Sequence, residues 1–484
     1  MSQELEGTQV TRLLFQTLVT LSPDLEVIPG VATEWSVGAD QVTWTFKLAD
    51  DKTFSDGRPV VADDFVFAFA RAADPDLASP SAYQGLPIKG WAEVNSADPS
   101  GAIADSPVTG ITAVDEHTLT IETESPFSLL PKVLTYPIFA PIAPEYVDTA
   151  DAAATFGERP IGNGPYMMTD AWEHNVGINL EKNPNFAGTA GVTDSIEFRI
   201  YSDIETSFRD FEAGNLDIAR NIPPDQIAAA RETFGDRFVS TQTASLSYIG
   251  FPTKVPPFDN PDIRAALSLA IDRDALAERI YSGSQVPAGG MVPPQVPGAM
   301  KGKCEACVYD PVRAKELFDK AGGIPGNSMV VYDISDDGQQ NLEPILSSWR
   351  ELFGLDIEVR SFEFAQYLEE TAVGKPVGPF ELGWVWDYPS GYSILSPLFE
   401  STSTVNTFGW SNPEFDALLE SVRTAPNEES GLSFLTKAQE IVQTEMPIAP
   451  ITFINDLGVV SKRLSGVKVD AGSLWRLELV EVNS

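Results

Sequence analysis

Histidine is nearly missing: 484 residues contain two, His117 and His174, in separate segments. That excludes an HExxH metal site, and a Ser-His-Asp triad would have to use one of this pair. Cysteine is equally scarce. Cys304 and Cys307 form one CxxC with no second CxxC and no nearby His, so a zinc site is short of ligands. The favoured reading of the pair is a local disulfide in an exported chain, ahead of a free or redox-active pair. Basic residues are few: Lys and Arg total 32 against 70 Asp and Glu, a net charge of −38. Such a surface repels phosphate backbones and opposes adsorption to anionic lipid, so no nucleic-acid partner is expected. No apolar run reaches the roughly 18–20 residues of a membrane span. The best stretch, Leu129 to Val147, is broken by Pro131, Lys132, Pro137, Pro141 and Pro144. The opening Met1-Ser2-Gln3-Glu4 shows no basic and apolar leader, which leaves a cytosolic protein or one whose leader has been cut away.

Catalytic fingerprints are missing too. There is no GxSxG, no GxxxxGK[ST] and no GxGxxG. Ser465 to Lys468 matches SxxK, but no SDN or KTG accompanies it. Asp333 to Gly338 begins like a calcium loop, yet Ser335 holds the third position and Pro344 the twelfth, where a bidentate Glu is required. A polar turn fits better, and no metal or other cofactor is expected. A glycosidase carboxylate pair is the one hydrolytic arrangement that 70 acidic residues leave open.

What is present is core-forming material, with 43% hydrophobic residues and length for two to four domains at about 100–200 residues each. Gln41–Leu48, Thr118–Glu122 and Ser195–Tyr201 alternate with period two and are predicted strands. Helices are announced by Asn or Asp caps followed by Pro. Asn260-Pro261 opens Ile263–Tyr281, Asp310-Pro311 opens Val312–Lys320, and Asn412-Pro413 opens Phe415–Val422. Leu432–Thr444 is a further helix. Strands and helices interleave without repeats or low-complexity linkers, which indicates α/β domains.

A series of landmarks runs through the chain in fixed order. They are Pro29–Ser36, Trp44–Leu48, Phe54–Pro59 with Ala62–Phe67, Pro160–Tyr166, Asn183–Phe186 and Phe211–Asp217. Pro257–Arg273, Tyr309–Lys315, Trp386–Pro389, Asn412–Asp416 and Glu445–Pro450 follow. In order and spacing this set resembles the peptide-binding class of solute-binding proteins that serve ABC importers, the oligopeptide and dipeptide binders. The resemblance covers nearly the whole chain. It implies an α/β, two-lobed, periplasmic-binding-protein-like fold of class II type, with an extra subdomain on lobe one. Lobe one would comprise residues 1–34, 158–244 and 452–484, the subdomain 35–157, and lobe two 245–451. Crossing strands near Thr241–Phe251 and Pro447–Phe453 would form the hinge, and closure would desolvate the ligand. Phe54–Pro59 also reads as a plain turn bent at Asp56-Gly57. Gly162–Tyr166 reads equally as a loop that only turns the chain, with Tyr166 in the core.

Function concentrates at Gly383-Trp384-Val385-Trp386-Asp387-Tyr388. Taken alone this is an aromatic stretch with one carboxylate, a buried strand whose Asp387 caps a turn before Pro389. The resemblance implies more. Asp387 would hold the α-ammonium of a peptide, Trp384 and Trp386 would wall side-chain pockets, and Val385 would offer main-chain hydrogen bonds beside Tyr388. Backbone pairing of that kind is indifferent to ligand sequence. Ser403, Asn406 and Tyr83 are expected along the cleft. Where the family has Phe-Glu-Gly-Leu, this chain has Phe15–Leu18, which leaves a neutral Gln16 at the ligand region. The implied protein is an extracytoplasmic, lipid-anchored monomer that captures oligopeptides for an ABC permease and does no chemistry. Alternatives are the same fold with another ligand (an oligosaccharide, a glutathione-like molecule or a chelate) or, further off, a hydrolase such as a glycosidase.

Overall fold

The computed structural model describes residues 5–97, 107–188, 191–302, 304–334 and 342–483. Ser335–Gly338, the body of the calcium-loop-like stretch, lies outside the described residues. The chain divides into two compact units, residues 1–219 with 423–428 and 460–484, and residues 220–422 with 429–459. These boundaries fall at 219/220 and 459/460, whereas the lobe limits expected from the resemblance, 244/245 and 451/452, cut two long strands.

In the first unit the predicted alternation yields the strand Thr43–Leu48, in which Trp44, Phe46 and Leu48 face inward. It starts two residues later than expected. Gln41 takes a positive φ, and the Asp40 carboxylate accepts from the amides of Val42 and Thr43, so a turn claims those positions. The strand lies between Ala32–Val37 and Thr118–Glu122, with Ile111–Asp115 at the edge. Helix Ala62–Ala73 carries buried Phe65 and Phe69; the Phe69 ring stands 5.0 Å from that of Phe139. Gly57 makes the expected sharp turn with φ +91°, and its amide donates to Phe54 O at 2.9 Å. A second sheet joins Tyr166–Met168, Gly177–Lys182 and Ser195–Arg199. Tyr166 is fully buried, and its hydroxyl donates to Thr193 O at 2.8 Å. The Gly162 loop does more than turn the chain: a Cβ at Gly162 would run into the Leu14 carbonyl, so the close approach of the backbone requires glycine there.

The second unit is built on strands β1 (Phe238–Gly250), β2 (Ser328–Ile334), β3 (Asp356–Phe362), β4 (Phe380–Val385) and β5 (Ile448–Val460). Their order is β5-β1-β4-β2-β3. β1 runs antiparallel to both β5 and β4, while β2 runs parallel to β3 and β4. The three parallel carboxyl ends therefore meet at one edge of the sheet, where open α/β sheets take ligands. In the β1–β5 pairing, Gln242 faces Asn455 and Leu246 faces Phe453. Thr243, Ala244 and Ser245 thus stand against Ile454 alone, a bulge that releases main-chain groups from the ladder.

The capped helices form as expected over Pro311–Lys320 and Pro413–Arg423, with Asp310 and Asn412 accepting from the amides of Arg313, Glu414 and Phe415. Leu432–Thr444 lies within a longer helix, Glu428–Glu445. The single helix expected over Ile263–Tyr281 is two, α1 (Pro261–Leu269) and α2 (Arg273–Arg279). Asp272 breaks it by accepting from the Ala275 amide at 3.0 Å, which caps a new helix. Cys304 and Cys307 are joined in a disulfide and are buried. No helix among the described residues is long and apolar enough to cross a membrane.

Candidate functional site

The stretch singled out in the sequence occupies the end of β4 and the loop behind it. Ser245 pairs with Val385 and Leu246 with Trp384, so β1 covers one edge of β4. Along the other edge, β2 pairs at Tyr332–Phe380 and ends at Ile334. Among the described residues, Leu382–Val385 thus has one strand neighbour and presents its other main-chain edge, with Gly383 and Val385 exposed. An open edge of this kind is what an extended peptide adds to.

The loop that follows is held tightly. The Trp386 amide donates to Ala244 O at 3.2 Å, within the β1 bulge. The Ser390 amide donates to Tyr388 O at 2.7 Å, and the Ser393 hydroxyl lies 2.8 Å from both Tyr388 O and Ser390 O. The Trp384 indole N–H reaches Ser393 O at 3.3 Å. Trp386 and Tyr388 are buried, while Trp384 and Asp387 are half-buried, so Asp387 stands in a fixed loop with its Oδ2 buried. Ser390 and Ser393 were not legible beforehand, because hydroxyls that close a turn carry no signal beyond the turn itself.

The other expected residues are distributed. Asn406 belongs to the second unit and is buried; its Nδ2 donates to Glu400 O at 3.2 Å and Trp410 O at 2.7 Å, closing its own loop. The Ser403 hydroxyl donates to Pro397 O at 2.6 Å in the same loop. Gln16 and Tyr83 belong to the first unit. The Gln16 main chain is clasped by Asn163, whose amide accepts from Gln16 N and donates to Gln16 O, both at 2.9 Å. Tyr83 sits half-buried in the short turn Ala82–Gly85. A groove of about 520 Å³ on the second unit, lined by Ala270, Leu276, Arg279, Tyr309, Ile345 and Leu352, shares no residue with the Asp387 loop. Among the described residues, no group of three or more His, Cys, Asp or Glu gathers to hold a metal.

β4 also carries a titratable group that the sequence did not flag. Asp333 follows Tyr332 and Glu381 follows Phe380, so the parallel register sets the two carboxyls side by side on one face. Burial, then the Asp333 charge, push the Glu381 carboxyl up to about 7, against a hydrogen bond from Ser247. Burial also raises Asp333, opposed by hydrogen bonds from the Ile334 amide and Ser361. The folded chain therefore holds a proton on Glu381 in a range where the unfolded chain has lost it. The resulting stability is full below the ordinary glutamate value near pH 4.5 and is lost as pH rises through about 7. The melting temperature is expected to fall between pH 5 and pH 8, and Glu381→Gln to flatten that fall by the equivalent of up to about 3 kcal/mol. Parallel pH profiles for the two proteins in thermal melts would refute the assignment.

Against known proteins, residues 26–406 match the family described as bacterial extracellular solute-binding proteins, family 5. The oligopeptide-binding protein OppA of Bacillus subtilis is 29% identical over 475 residues, spanning 95% of this chain and 85% of that protein. The dipeptide-binding protein DppE of the same organism is 27% identical over 94% of this chain and 84% of its own length. Among solved structures, the murein tripeptide-binding protein MppA of Escherichia coli superposes with a TM-score of 0.86 at 24% identity, covering 100% of this chain and 95% of that one. Haemophilus influenzae OppA, in complex with RPPGFSPFR, superposes at 0.84 and 24% identity, covering 100% and 96%.

Proposed function

Because this chain belongs to the bacterial extracellular solute-binding proteins of family 5, we propose that it captures oligopeptides outside the cytoplasm and hands them to an ABC permease. It is a binding protein of the two-lobed α/β type and not an enzyme. The observation that carries the peptide reading is the main-chain edge of β4 that no described strand covers beyond its pairing with β2, running directly into the fixed loop of Asp387. A peptide laid along Gly383–Val385 pairs through its backbone and brings its ammonium to the Asp387 carboxylate, while Trp384 and Trp386 flank its side chains. The names of the relatives, which bind oligopeptides, dipeptides and murein peptides, support the same ligand class.

To this proposal belong the lobes 1–34 with 158–244 and 452–484, the subdomain 35–157 and the lobe 245–451, hinged on β1 and β5. So do the contacts of Gln16, Tyr83 and Asn406 with the ligand. Action as a monomer and a lipid anchor at the outer face of the cell membrane complete it; a net charge of −38 keeps such a protein dispersed at the envelope.

Thermal shift on protein freed of ligand by unfolding and refolding tests the reading. A ligand at about 100 times its Kd adds about 2.7 kcal/mol. Tri- to hexapeptides with a free amino terminus are expected to raise the melting temperature, and their N-acetylated forms to fail. Stabilisation by oligosaccharides alone would replace the peptide assignment with a sugar one.

A further inference from the structure

Gln295 lies in the loop between Ala288 and Ala299, which is pinned to both elements that flank Asp387. The Gly391 amide donates to Pro297 O at 2.8 Å, which ties this loop to the one carrying Asp387. Gln295 itself donates from Nε2 to Thr243 O, a carbonyl that the β1 bulge has released from strand pairing. The next carbonyl along β1, Ala244 O, accepts from Trp386 N, one residue before Asp387. The bond to Thr243 also settles the orientation of the amide. A carbonyl only accepts, so the nitrogen must face Thr243 and the oxygen must turn away. Gln295 Oε1 is buried there, and no group among the described residues donates to it. A buried acceptor without a donor is costly, so such atoms are normally matched by something the fold itself does not supply.

We infer that Gln295 is a ligand-contact residue whose Oε1 accepts a hydrogen bond from an N–H of the bound peptide near its amino end. The inference rests on the reading of the Asp387 loop as the peptide site. It adds a neutral acceptor to the single carboxylate, on a loop the family landmarks do not include. The bulge serves both contacts: it frees Thr243 O to orient Gln295 and presents Ala244 O to seat the Asp387 loop.

Calorimetry with one tetrapeptide and three variants of it, N-methylated at the first, second or third nitrogen, tests the assignment on wild type and Gln295→Leu. In wild type, one of the three methylations is expected to cost about tenfold in affinity. Gln295→Leu should bind the parent peptide about tenfold more weakly and be indifferent to that same methylation. The melting temperature of the ligand-free protein reports the structural part of the substitution separately. If Gln295→Leu distinguishes the methylated peptides as wild type does, the contact is absent, and the amide serves only to tie Thr243 or to hold solvent. If wild type binds none of the peptides, the peptide reading itself falls, and this inference with it.

Discussion

Asp387→Ala weakens binding of a free-amino peptide by about two to three and a half decades in calorimetry, with little change in the melting temperature of the ligand-free protein. The size follows from one-sided loss of a desolvated ion pair, roughly 3–5 kcal/mol, at 1.4 kcal/mol per decade. A carboxylate in open solvent would give far less, because surface pairs contribute about 1 kcal/mol or under. Asp387 is half-buried in a loop fixed by Trp386 N, Ser390 and Ser393, so its position is set before the ligand arrives and little ordering cost is left to binding. Asp387→Asn separates charge from shape. It retains an acceptor for the ammonium, and so should recover part of the loss while remaining well short of wild type. The acetylated peptide provides the matching ligand-side deletion. Its weak binding should become no weaker in Asp387→Ala, since the charge that the residue would meet is already gone. An unchanged affinity in the alanine variant would remove Asp387 from the site and return it to the plain role of a turn residue before Pro389.

How much of this was legible beforehand depends on the range of the interaction. Caps are local, and those at Asn260, Asp310 and Asn412 stand where the sequence put them, because side chain and amide lie two or three residues apart. The break between α1 and α2 was hidden for a physical reason: apolar periodicity continues through Leu276, and Asp272 looks like an ordinary helix-surface residue until its carboxylate is seen to cap Ala275. Tyr166 could be placed in the core from its type and setting, but the Gly162 requirement could not, since it comes from Leu14 far away in sequence. The same holds at the candidate site. Asp387 and its tryptophans stand out as residue types in a motif, whereas Gln295 gains meaning only through Thr243, 52 residues away, and Glu381 only through its register with Asp333. Residue types that suit a ligand are readable from a motif; residues whose part depends on a distant partner emerge only by tertiary approach.

The largest stability effect is expected at a residue that touches no ligand. Arg273→Ala should destabilise the second unit by about 3–5 kcal/mol, seen as a loss of roughly 6–20 °C in melting temperature at about 2–4 °C per kcal/mol. Arg273 is buried at the start of α2. Its Nε donates to Pro450 O at 2.6 Å, Nη1 to Ser268 O at 3.0 Å and Ile271 O at 3.3 Å, and Nη2 to the Ser268 hydroxyl at 2.8 Å. Those partners are carbonyls and a hydroxyl rather than a carboxylate, and burial lowers the guanidinium to about 9, still protonated at neutral pH. The planar fork of five donors lets one group reach both the break between α1 and α2 and the start of β5. Alanine leaves a cavity and takes this donor from Pro450 O, at about 1–3 kcal/mol, whereas Ser268 O keeps the Ile271 amide at 3.1 Å, and the relief from burying a charge offsets part of the sum. Arg264 works in parallel, donating to Met446 O at 3.0 Å and Phe258 O at 2.7 Å, so a single substitution loosens the anchoring of β5 without releasing it. Arg273→Lys tests the geometry directly. An ammonium carries the same charge but cannot span Pro450 and Ser268 together, so it should restore less than half of the loss. A lysine variant as stable as wild type would mean that charge alone suffices, and that the fork of hydrogen bonds to β5 contributes little to holding the strand against β1.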